Sequence, residues 1–288
     1  AARATAEAAA HRPVRLIVMS RSVLRGTGLS PAWPLPLHLL RTAWGDLPFD
    51  DLTAYVSGLA ESHLLEVVGE PVGPLQDVSP AAGPSGLLPG IVTGLREAGR
   101  RFPAPEVLSL LTSAPGDSSS LPPVPAIRAD VAEAGWGVLV RDPATREALC
   151  LTCIHVHPDV LRWRARGVVD CPVAPQPDGP AHALAALGRA VVEAAELLER
   201  STVRVQATAP VDIGAHTSRL PSGLPGRVLE LVDRIDGVEA VISAALAQPG
   251  LGVDAAAREP VLRRLIAVKD AARRAAVAAA GDEALRGT

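Results

Sequence analysis

Along the chain the apolar positions fall into two kinds of pattern: short continuous or alternating runs, and longer stretches that repeat every three to four residues. The first kind predicts strands at 13–20, 63–68, 136–141, 148–157 and 202–207, with a further apolar run at 168–173. The second predicts helices at 35–44, 49–61, 91–101, 105–112, 126–134 and 180–200. In the last of these Leu184, Leu187, Val191, Ala194 and Leu198 form one stripe. The run at 168–173, this helix and the strand at 202–207 make a crossover unit, right-handed if its strands are parallel.

Two longer helices follow. Val228, Leu231, Ile235, Val238, Ile242 and Ala245, then Val261, Leu265, Val268, Ala272 and Ala275, alternate steps of three and four, the spacing of a packing seam. Pro249 and Gly250 separate the two stretches and Asp254 can cap the second. They read as an antiparallel hairpin with arms about 35 Å long at 1.5 Å per residue. Alanines near the end of the second arm permit close backbone approach. The expected fold is α+β: a mixed β-sheet in the second half, flanking helices and a long C-terminal antiparallel helical hairpin.

Residues 113–125 contain four prolines and three consecutive serines, a linker's composition. They divide the chain into an N-terminal α/β region, 1–112, and a sheet-containing domain, 126–288, that ends in the hairpin. A long loop within one domain would have the same composition.

Composition narrows the functional classes. Hydrophobic residues are 48% of the 288, enough for a sizeable core, but aromatics are 2%, so aliphatic side chains must fill it. A net charge of -3 gives no global pull toward nucleic acid or an anionic membrane. No uncharged apolar run approaches the ~20 residues of a membrane-spanning helix. Three cysteines argue against a disulfide scaffold and fit a reducing cytoplasm. Lys269 is the only lysine, so nearly all positive charge sits on arginine.

Several groupings that suggest chemistry have plainer explanations. Arg25-Gly26-Thr27-Gly28 lacks the third glycine and the direct helix start of a phosphate loop. Asp50 and Asp51 suit the positive end of a helix. His216 and Ser218 lack both an orienting acid and a strained glycine-flanked turn.

The stretch 148–157 holds two cysteines and two histidines. On a strand, Cys153, His155 and His157 share one face and Cys150 points to the other, so the Cys-x-x-Cys spacing is neither a zinc knuckle nor a redox pair. Cys153 and His157 lie about 13 Å apart at 3.3 Å per residue, too far for one ion. A zinc site would need His155 with His157, or Cys153 with His155, plus a ligand from elsewhere, such as Cys171 or His182.

After the turn at 157–160, residues 161–166 alternate apolar and arginine side chains. A four-residue hairpin loop would set Arg162 opposite His155 and Arg164 opposite Cys153. One face would then be basic, and Ile154, Thr152, Leu161, Trp163 and Ala165 would make the other apolar. Pro158, Asp159 and Gly167 equally describe a short helix, in which case the basic face dissolves. Arginines suit an anion or an acidic surface better than a metal.

The expected function is therefore a non-catalytic binding or assembly protein that engages an acidic partner or anionic ligand through Arg162, Arg164 and Arg166. The hairpin, 226–280, offers a surface for a protein partner or a second copy. The alternative is a metal-dependent enzyme with zinc at His155 and His157.

Overall fold

The computed structural model describes residues 33–73, 83–113, 118, 120–157, 159–200, 220–247 and 255–287. The expected strands at 13–20 and 202–207, the turn at 25–28, His216 with Ser218, and Asp254 lie outside the described residues.

Five strands form one mixed sheet in the order β1-β5-β4-β3-β2. They are β1 (Ser62–Gly69), β2 (Leu108–Thr112), β3 (Trp136–Arg141), β4 (Ala148–His157) and β5 (Val160–Val168). β1 runs parallel to β5, and the other neighbours are antiparallel. β1 and β2 precede the Pro/Ser-rich stretch and β3 to β5 follow it, so the sheet draws on both halves of the chain rather than on the second alone. Residues 113–125 lie between β2 and its antiparallel neighbour β3 and reach the helix that starts at Pro125.

Eight α-helices are described: α1 (Leu35–Trp44), α2 (Phe49–Ser57), α3 (Leu88–Gly99), α4 (Ala104–Val107), α5 (Pro125–Ala134), α6 (Pro180–Arg200), α7 (Gly226–Ala247) and α8 (Ala255–Arg286). The helix expected at 49–61 stops at Ser57, where Gly58 follows and β1 is about to begin. The helix expected at 105–112 is a single turn, after which Leu108–Thr112 pairs with β3. Its apolar density reflects a strand buried on both faces. The run at 168–173 is the end of β5 and an irregular segment, because Asp170 takes a left-handed φ of 53° and pairing stops. The expected crossover unit therefore lacks its first strand.

The two faces of the sheet bury different cores. Leu110, Val138, Leu149, Leu151, Trp163 and Ala165 pack under the helices α1, α3, α6, α7 and α8. Leu111, Leu139, Ala148 and Cys150 pack under α5, with Cys171 and Ala174 from the segment after β5. α7 and α8 are antiparallel: Arg227 near the start of one reaches Glu283 near the end of the other at 2.7 Å. The predicted seam residues Val228, Leu231, Ile235, Val238 and Ile242 are all buried. Leu229 and Val241 stay exposed on α7. In α6 the buried side is Ala183, Leu187, Ala190 and Ala194, while Val191 faces out.

α8 is enclosed on several sides, by α1, α4, α6, α7 and β2. Its small residues permit this: a Cβ on Gly281 would meet the Ala104 Cβ at 2.7 Å. Charges on such a helix must find partners inside the protein. Lys269 lies 3.6 Å from Glu239 and 3.5 Å from Asp270, and Arg273 pairs with the same two acids.

Candidate functional site

Residues 160–168 are a strand, which settles the choice between strand and helix. The hairpin register differs from the expected one by a single residue. At the tip His157 pairs with Val160, as a short loop requires. A bulge between His155 and His157 then shifts every later pair, giving Leu161 opposite His155, Arg162 opposite Ile154, Trp163 opposite Cys153 and Arg164 opposite Thr152. Because side chains alternate, one extra residue exchanges the two faces of one strand relative to its neighbour.

The expected basic face of Arg162 and Arg164 with Cys153 and His155 is thus not formed, nor is the expected apolar face. Trp163, fully buried, joins Leu161, Ala165, Leu151 and Cys153 in the main core. Its indole N–H donates to His63 Nδ1 at 2.9 Å. The three arginines stand on the opposite face with Ile154, Thr152 and Cys150. This register is favoured physically, since it buries the largest side chain of the hairpin and brings the guanidinium groups to the acids of α5.

Those acids organise the site. Arg164 donates through Nε to Glu66 at 3.0 Å and through one terminal nitrogen to Asp130 at 2.9 Å and Glu133 at 2.8 Å. Arg166 pairs with Asp130, and Arg162 donates to Glu133 at 2.9 Å. Burial of Arg164 works against its charge, yet the three carboxylate bonds outweigh burial and its pKa is raised. Arg166 is held charged above all by its bond to Asp130. Asp130, with a side chain only 5% exposed, is the centre of the lattice. Three arginines meet three acids, so the lattice is electrically balanced, and it fastens α5 to β5 and β1.

The other candidate residues are not brought together. Cys153 is buried in the main core, and burial raises its thiol pKa. His155 and His157 project from the exposed end of β4, with His157 Nδ1 3.9 Å from Asp159. Among the described residues no three His, Cys, Asp or Glu side chains cluster as a metal would require.

Sequence reasoning missed Glu66, Asp130 and Glu133. The signal was present: two acids three apart on the expected helix at 126–134 stand on one face, ready to meet arginines at every second position of a strand.

The fold is an α+β protein in which long C-terminal helices back a mixed sheet, and an arginine-rich strand lies beside β1, the last strand of the sheet among the described residues. Residues 41–179 match the model of the Rv1486c-like protein N-terminal domain, and residues 181–277 match that of the Rv1486c-like protein C-terminal domain. The chain belongs to the Rv1486c-like family. The two matches meet at Pro180, the first residue of α6. No curated protein and no solved structure matches. No described helix is long and apolar enough to cross a membrane.

Proposed function

We propose that this chain is a non-catalytic binding protein that takes an extended, acidic segment of a protein partner along the β1 margin of its sheet. The state of β1 supports this reading. Its inner side pairs with β5 over all eight residues, while among the described residues no backbone hydrogen bond reaches its outer side. Natural edges are usually shortened, charged or covered. This one is of ordinary length, exposes Leu64 at 53%, and has its Glu66 held by Arg164.

An added strand gains main-chain bonds, and its alternate side chains set specificity. Leu64, Arg162 and Ile154 form a cross-strand row at this margin. Arg162 is 34% exposed in its side chain and has one carboxylate partner, so it has donors left for an acid on the incoming segment. Arg164 and Arg166 serve behind it by fixing α5. Three free, buried cysteines suit a reducing compartment such as the cytoplasm.

The test is selection of displayed ten-residue peptides on the immobilised protein. Enriched sequences should alternate apolar with acidic residues. Their binding should fall at least ten-fold in Arg162→Glu, at a half-buried position, and in Leu64→Lys, at an exposed one. Enrichment without acids, or binding that survives both substitutions, would contradict the proposal.

A further inference from the structure

A separate cleft lies on the other side of the molecule from the arginine lattice, between α3 and the closed end of the β3–β4 hairpin, with a volume of about 460 Å³. That is within the range of small-molecule sites. Its floor is apolar: Val72, Ala98, Val140 and Leu149 are each below a tenth exposed. Along its α3 wall Gly94 leaves room, since a Cβ added there would meet nothing within 4 Å.

The mouth has the opposite character. Glu97 comes from α3, and Asp142 and Glu147 from the two ends of the turn that joins β3 to β4. Asp142 Oδ1 accepts the Ala144 N–H at 2.8 Å. Among the described residues none of these three carboxylates is in an ion pair. The C-terminal end of α3 adds its partial negative charge at the same mouth. Arg101 is the guanidinium at the rim, and it lies over the Phe102 ring at 5.7 Å. Arg141 lines the cleft next to Val140, but its guanidinium turns to the other face, where Nε donates to Cys171 O at 2.8 Å.

We propose that this cleft is a second binding site, for a small organic cation with an apolar body: an ammonium at the mouth among Glu97, Asp142 and Glu147, and a hydrocarbon chain on the Val140–Leu149 floor. An anion of the same shape would meet three carboxylates, and a purely polar cation would leave the floor wet. The site is independent of β1 and needs no partner protein.

Three probes of one shape separate the contributions: hexylammonium, hexanol and hexanoate, titrated into the full chain and followed by backbone amide resonances. Hexylammonium should bind at least ten-fold more tightly than hexanoate, with hexanol between them, and should move the Gly94 and Leu149 signals. Gly94→Leu, whose Cβ would meet nothing within 4 Å, should abolish binding of all three while leaving the melting temperature unchanged. Glu97→Gln with Glu147→Gln should remove the preference for ammonium and leave hexanol binding in place. No binding by any probe, equal binding by all, or binding that survives Gly94→Leu would overturn the proposal.

Discussion

Arg164 shows why an arginine-rich strand need not be a bare anion site. Its guanidinium meets Glu66, Asp130 and Glu133, and the bond to Asp130 is strengthened because that side chain is almost wholly buried. Removing one member of such a network leaves charge uncompensated, which costs more than the pair itself contributes. Arg164→Ala should therefore lower stability by about 2–4 kcal/mol in urea unfolding, and Glu66→Gln, which removes a carboxylate paired among the described residues to Arg164 alone, should cost little more in the same background. Additive losses in the double variant would show that the two side chains act separately. The buried thiols predict a pH effect. Burial holds Cys150 and Cys153 protonated in the folded protein, whereas unfolding lets them ionise from their ordinary value of 9.0. Their contribution is complete below that pH and declines as pH rises toward the folded values. The urea midpoint should fall between pH 8 and pH 10, and less steeply in Cys153→Ala.

Elements were more legible than their pairing. The helix at 35–44 and the strands at 136–141 and 148–157 follow directly from periodicity, because each has one dominant pattern and clear punctuation. The helix read at 105–112 failed because five apolar-rich residues buried on both faces have no period of their own. The arginine face failed for another reason: a single bulged residue, Val156, decides which side of the hairpin each arginine takes, and no local composition announces it. Docking of β1 was equally hidden. It depends on Gly69, at φ 82°, lying against Gly167, where an added Cβ on either residue would run into the neighbouring backbone. Gly167→Ala should thus destabilise by at least about 2 kcal/mol and expose the Trp163 indole to solvent, read as a red shift and quenching of its emission. An unchanged spectrum would mean that β1 tolerates the displacement.

At the scale of the whole molecule, α8 joins the parts. It touches α1 and α4 from the first half of the chain, α6 and α7 from the second, and β2 of the sheet. Its apolar seam was legible in sequence, but the partners of its charges were not; enclosure turns those charges into an internal network in which the sole lysine sits between Glu239 and Asp270. Lys269→Met should cost about 3–5 kcal/mol, because both acids stay buried beside it. Neutralising Glu239 in the same chain should recover part of that loss.

The β1 margin is the surface on which the proposed function depends. Backbone hydrogen exchange of the free protein tests it most directly. The β1 amides that point away from β5 should exchange at least a hundred-fold faster than those bonded to it, and a selected acidic peptide should slow them while leaving β2 unchanged. Full protection of both sets in the free protein would show that the edge is already occupied, and would contradict a binding role for it.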